Sequence, residues 1–207
     1  MLEQQSRTYP RGMRVAVALA LGFAAIGAGA QSSRPTVDVA VTYATLHSEH
    51  VTGADFWMQG GAVELHAEIR GGLGVVASVT GAHANSTSPQ AAPLDMVTVV
   101  FGPRYTYAPR RGRLAVFGEA LVGEADGFHS VFAYGSGPVS NPVNGTTNSA
   151  NSLAFQTGGG LDLRVSPHFS VRPLQAEYLR TQLPNGNDNL QNNLRLAAGV
   201  VYRFGRQ

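Results

Sequence analysis

Apolar residues recur at every second position near the end of the chain, where Leu194, Leu196, Ala198, Val200, Tyr202 and Phe204 share one face of an extended segment. The opposite face carries Arg195, Ala197, Gly199, Val201 and Arg203. Arginines are expensive in a packed hydrocarbon core and ordinary in a polar barrel lumen, so the apolar face is expected to meet lipid. The same period runs over 153–165, with Phe155, Thr157, Leu161, Leu163 and Val165 outward and Gln156, Gly158, Gly160, Asp162 and Arg164 inward. Over 97–107, Val97, Val99, Phe101, Pro103, Tyr105 and Tyr107 face outward, against Thr98, Val100, Gly102, Arg104 and Thr106. Further runs over 36–46, 56–68, 73–84, 113–125 and 168–181, with the last strand at 193–204, predict eight strands. No segment after Gln31 has the period of a long amphipathic helix.

In the run 168–181, Phe169 and Val171 fit one outward phase and Leu174, Ala176 and Tyr178 the other. Pro173 lies at the switch, and proline is tolerated at bulges because it has no ladder hydrogen to give. A one-residue bulge there would turn Arg172, Gln175 and Glu177 all inward.

The connectors alternate in length as an outer-membrane barrel requires. Segments 70–72, 108–112 and 166–167 are short and belong on the periplasmic side. Segments 47–55, 85–93, 126–150 and 182–190 are longer, rich in Gly, Ser, Thr, Asn and Pro, and are expected to be extracellular loops. Outward aromatics segregate by height, with Tyr43, Trp57, Phe155 and Tyr178 toward the loops and Tyr105, Tyr107, Tyr202 and Phe204 toward the turns. Two interfacial girdles are implied. A soluble barrel that encloses a ligand would carry its apolar residues inward. Here the inward face instead collects Asp38, Glu64, His66, Arg104, Glu119, Asp162, Arg164, Arg172, Glu177, Arg195 and Arg203. The expected fold is therefore all-β, an eight-stranded antiparallel up-and-down transmembrane barrel.

Composition narrows the function. Cysteine is absent, which excludes disulfides, thiolate metal sites and cysteine nucleophiles. All 15 basic residues are arginine, and without the first 30 residues the chain holds 12 Arg against 12 acids. That balance, with no clustered basic patch, gives no reason to expect a nucleic-acid partner. Arg7, Arg11 and Arg14 precede the apolar run 15–26 and the small residues Ala28, Gly29 and Ala30. This pattern predicts an export signal over 1–30, cut before Gln31, and a single barrel domain over 31–207. Either Met1 or Met13 would start such a signal.

The chain resembles the small OmpA/OmpX-type outer-membrane β-barrel family from Asp38 to Phe204. Gly199-Val200-Val201-Tyr202-Arg203-Phe204 is similar to the terminal assembly signal of that family, which assigns Gly199, Tyr202 and Phe204 to recognition by the barrel-assembly machinery. The resemblance implies outer-membrane lipids as partners and location in the outer membrane after export. Related chains carry a peptidoglycan-binding domain after the barrel. This chain stops three residues past Phe204, so that function is expected to be missing.

Five inward acids, Asp38, Glu64, Glu119, Asp162 and Glu177, balance five arginines, Arg104, Arg164, Arg172, Arg195 and Arg203. An eight-stranded barrel has room inside for side chains only, so this set is expected to form an ion network rather than line a water-filled pore. No nucleophile stands in a recognisable relation to the glutamates, and no catalytic residue, cofactor or metal is assigned. His168, Ser170 and Glu177 are similar in type to the site of outer-membrane lipid A deacylases, but they follow a short turn and fall at the wrong rim. His47, Glu49 and His50 offer metal ligands but only two imidazoles in a loop. Gly158-Gly159-Gly160 opens no helix and so lacks the context of a phosphate-binding loop.

The leading expectation is a non-enzymatic structural or surface-interaction protein that meets an extracellular ligand through 47–55 and 126–150. A narrow porin-like channel is the alternative, favoured by small lumen residues Gly158, Gly160, Ala197 and Gly199. A lipid-modifying enzyme using His168, Ser170 or Glu177 is a third.

Overall fold

The structure, a computed structural model, describes residues 36–49, 55–87, 92–109, 112–133, 146–184 and 189–204. The expected signal over 1–30 and both candidate starts lie outside the described residues.

Eight strands follow one another: β1 (Val37–Glu49), β2 (Phe56–Arg70), β3 (Leu73–Ala84), β4 (Leu94–Tyr107), β5 (Leu114–Ala133), β6 (Thr146–Arg164), β7 (Phe169–Thr181) and β8 (Gln191–Phe204). Each pairs antiparallel with its neighbours, and β1 closes on β8 from Val37↔Phe204 to Glu49↔Asn192. Closure leaves no edge strand, the condition for a sheet to exist in hydrocarbon. Stepping across the ladder from Val39 passes through Leu65, Ala77, Phe101, Val122, Phe155, Arg180 and Asn192 and returns to β1 at Glu49, ten residues farther on. A stagger of about 33 Å over eight strands spaced about 4.8 Å apart tilts them by about 40°. At that tilt about 9–11 residues cross a bilayer, and every strand here is longer.

The turns are chemically specified. Arg70 pairs directly with Leu73 across Gly71 (φ +60°) and Gly72 (φ +85°). Two successive left-handed residues make the type I′ hairpin whose twist matches that of the strands. The outward face is apolar around the barrel: Val41, Val63, Val79, Phe101, Val122, Phe155, Leu174 and Val200 are all exposed. The ladder shifts between Arg172 and Gln175, with Pro173 and Leu174 exposed and Arg172, Gln175 and Glu177 buried, as the phase switch predicted.

Two expectations need correction. Segment 126–150 is not loop throughout, because β5 continues to Ala133 and β6 begins at Thr146, with Phe128↔Ser149 and Phe132↔Thr147 paired. Its polar composition reads as loop, but ladder hydrogen bonds are made by the backbone and continue where side chains no longer face lipid. Residues 134–145 lie outside the described ones, as do 50–54 of the first expected loop. The lumen is also not polar throughout. Its loop-side half is filled by Leu46, Met58, Ala82, Leu94, Met96, Leu121, Ala154 and Leu179, with Phe132 and Leu183 at the end.

Candidate functional site in the lumen and at the loop end

In the middle of the lumen Glu64 of β2 is the hub of an ion network. Its Oε2 accepts from Arg104 Nη2 and Arg172 Nη1, both at 2.6 Å, and its Oε1 accepts from Gln175 Nε2 at 2.7 Å. Arg104 also donates through Nε to Glu119. Arg172 grips Asp162 with two bonds, Nε to Oδ1 at 2.7 Å and Nη2 to Oδ2 at 3.1 Å. On the adjacent strands β7 and β8, Arg195 donates to its ladder partner Glu177, which also accepts from Gln156 at 2.9 Å. Glu64 and Glu177 come from strands on opposite sides of the chain order and are 1 % exposed, which short carboxylates alone would not achieve. The guanidiniums reach inward from β4, β7 and β8 to join them.

The aromatic ring of Phe117 contacts two of these cations. Arg104 Cζ stands 4.3 Å and Arg172 Cζ 4.4 Å from its centroid. The ring thus gives each guanidinium a cation–π contact worth up to about 2 kcal/mol when desolvated. Gly160 permits this, because a Cβ there would stand 2.7 Å from the Phe117 ring. Phe117 is the part of the site that sequence reasoning missed. Its inward register on the strand 113–125 was the available signal.

Nearer the turns Asp38 accepts from Arg203 Nε at 2.9 Å and meets His66 Nδ1 at 3.2 Å. Arg164 also lines this rim, half-buried, beside Arg113, Asp162, Ser170 and Arg203. The lumen residues expected from sequence therefore fall into two groups, a central one around Glu64 and a rim group around Asp38. The carboxylates of Glu64, Glu119 and Glu177 lie within 4.8 Å of one another, a spacing a cation would accept. Each of the three already pairs with an arginine, Glu64 with Arg104 and Arg172, Glu119 with Arg104 and Glu177 with Arg195, while Glu119 Oε1 is buried without a hydrogen-bond partner.

The other candidates do not converge. His168 is exposed at a turn, its ring 6.3 Å from Tyr202, while Ser170 and Glu177 face the lumen. His47 lies 4.7 Å from Trp57 with the rings tilted at 51° and meets Asp55 at 3.6 Å; the Glu49 side chain and His50 lie outside the described residues. Of the residues assigned to assembly, Gly199 faces the lumen opposite Thr42 and Arg172, while Tyr202 packs edge-on to Phe204 at 4.6 Å on the outer surface. A Cβ at Gly158, Gly160 or Gly199 would stand under 3 Å from an atom of a neighbouring strand, so these glycines let the strands of the wall approach closely.

Comparison with known proteins agrees with this architecture. Ail, the attachment invasion locus protein of Yersinia pestis, superposes with a TM-score of 0.53 at 18% identity, over 82% of this chain and 99% of that one; it was solved in complex with the heparin analogue sucrose octasulfate. Neisserial surface protein A superposes with a TM-score of 0.62 at 11% identity, over 81% of this chain and 97% of that one. At such identities the likeness is one of fold. Comparison with curated protein sequences gives no match. Residues 16–204 match the family described as outer membrane protein beta-barrel domain. The closed barrel, its apolar outer belt and that match together make this chain a member of the outer membrane protein β-barrel family, placed in the outer membrane.

Proposed function

We propose that the protein is a sealed, non-enzymatic barrel that holds a recognition surface at the extracellular side of the outer membrane. The observation that carries this reading is the filling of the lumen in two layers. A charged layer centred on Glu64 sits below an apolar layer that includes Leu46, Met58, Leu121 and Leu179. An ion entering from outside would have to cross the apolar layer unhydrated, and one entering from the periplasm would have to displace paired guanidiniums.

The surface presented outside is acidic. Asp55, Asp95, Glu124 and Asp126 stand at the extracellular ends of the strands, with Arg180 as the opposing charge. Segments 50–54, 88–91, 134–145 and 185–188 contain no Lys or Arg. This charge disfavours a polyanion such as the one in the Ail complex and favours a cationic or neutral ligand. The first 30 residues act as the export signal and are cut before Gln31, and Gly199, Tyr202 and Phe204 are recognised by the assembly machinery.

Planar-bilayer recording on the folded protein tests the sealed lumen, with no conductance steps expected. Regular single-channel steps would replace this reading with the narrow pore. Deleting 134–145 tests the recognition half, which fails if every surface-binding phenotype survives the deletion.

A further inference from the structure

The two ends of the barrel differ in charge. Against the acidic loop end, the described residues at the turn end include Arg70, Arg113, Arg164 and Arg203, with Asp38 and Glu68 as opposing acids. The connector that leads into Arg113 adds Arg110 and Arg111 to the charge there. Asp38 is held by Arg203 and His66, and Glu68 Oε1 accepts from the Gly72 amide at 3.0 Å. Positive charge at this end therefore exceeds what the local carboxylates balance.

Arg113, Arg164 and Arg203 line one recess in this rim, together with Asp162, Ser170 and Leu114. Backbone pairing sets them there. Arg164 N donates to the Arg113 carbonyl at 2.7 Å, which makes the two arginines cross-strand neighbours, and Arg203 N donates to the His168 carbonyl in the β6–β7 turn at 2.8 Å. Like charges opposed across a ladder destabilise it. An anion shared between them turns that repulsion into binding. The carboxylate already in the recess is committed elsewhere, because both oxygens of Asp162 accept from Arg172, at 2.7 and 3.1 Å. The five lumen acids and five lumen arginines cancel whatever Arg164 itself meets, so Arg113 is the surplus cation. It is exposed and makes no ion pair among the described residues.

We infer that Arg113, Arg164 and Arg203 bind a phosphate group, that of a phospholipid headgroup in the periplasmic leaflet bordering the rim. Guanidinium forks match the oxygens of a phosphate and bind them through charge-assisted hydrogen bonds. The enclosed part of the recess is about 10 Å³, room for one oxygen-sized group, so the rest of the ligand lies outside it. Its position favours a lipid as the source. Leu114 in the lining is exposed on the outer face, and Tyr107, which ends β4, is exposed on that face one pair away at its ladder partner Val116. The recess thus opens at the height of the lower aromatic girdle, where headgroups lie. A lipid phosphate reaches it over the rim without leaving its leaflet. The site stands at the opposite end from the recognition surface proposed above and is independent of it.

Native mass spectrometry of the folded protein, released from micelles doped with phosphatidylglycerol, tests the lipid source. One retained lipid per chain is expected. Titration with inorganic phosphate, followed by NMR of the arginine Nε–H groups, tests the bare group. Arg113→Gln and Arg164→Gln each weaken binding about fivefold, the effect of one arginine beside an anionic headgroup, while Arg180→Gln at the loop end leaves it unchanged. Arg113→Gln disturbs no described ion pair, and faster gel mobility before boiling verifies the fold of each variant. Inorganic phosphate bound with the same dependence on Arg113, without retained lipid, keeps the site and assigns it to a soluble phosphate. Failure of both probes to bind, binding indifferent to Arg113 and Arg164, or an equal loss in Arg180→Gln overturns the inference.

Discussion

Glu64 owes its burial to the three donors that converge on it, and each donor depends on it in return. Removing one member of a buried ion pair leaves the other uncompensated, at a cost of about 3–5 kcal/mol. Glu64→Ala is expected to lower the urea-unfolding free energy of the folded barrel in vesicles by that amount. Glu64→Gln, which keeps a carbonyl oxygen for one donor, should cost less than half as much. Equal losses for the two would show that volume rather than charge holds the layer. At the hairpin between β2 and β3 the residue scale makes a second distinction. A Cβ on Gly71 meets nothing within 4 Å, whereas one on Gly72 would stand 2.2 Å from the Thr106 carbonyl oxygen. Gly71→Ala therefore pays only for its positive φ, roughly 1 kcal/mol. Gly72→Ala must also push β4 away, and its measured unfolding free energy should fall further. Gly71 and Gly72 were readable in the sequence as a tight turn, but their different tolerance depends on a neighbouring strand.

At the scale of single strands, alternation decided most of what was legible. β4 shows the rule, with Phe101, Tyr105 and Tyr107 exposed and Val100 and Arg104 buried. Along such a strand the cost of a charge depends on depth. Arginine at the bilayer midplane costs about 2–4 kcal/mol and near the interface about 0–1 kcal/mol. Phe101→Arg should therefore destabilise the barrel strongly and Tyr107→Arg barely, measured by reversible unfolding in lipid vesicles; a reversed order would misplace the membrane along β4. β7 was legible despite its broken phase, because proline named the position of the bulge. β5 was legible only as far as lipid contact extends. Beyond Ala125 the apolar residues Phe128, Val131 and Phe132 follow no two-residue period, although the backbone ladder continues to Ala133. The register shift between Phe128 and Phe132, where His129 takes φ +58°, had no sequence signal at all, since any residue between Phe128 and Phe132 would read as loop.

For the whole molecule, closure makes every strand depend on its two neighbours through continuous pairing, including the β1–β8 seam. Such a barrel is expected to stay compact in detergent until heated, giving different gel mobilities for boiled and unboiled samples. A single mobility would contradict the closed seam. Sequence by itself determined the fold class, the outward faces of β4, β6, β7 and β8, the bulge at Pro173 and the inward set of charges. These follow from the two-residue period and from the cost of placing arginine in hydrocarbon, both of which are local. Tertiary structure decided which charges meet, that Phe117 contacts both Arg104 and Arg172, that an apolar cluster occupies much of the loop-side half of the lumen, and that His83, Asp95 and His129 share one outer patch. Those outcomes depend on the ten-residue stagger around the barrel, which sets the height of every side chain against strands far away in the chain. Alternation fixes the side a residue faces, and only closure fixes its neighbours.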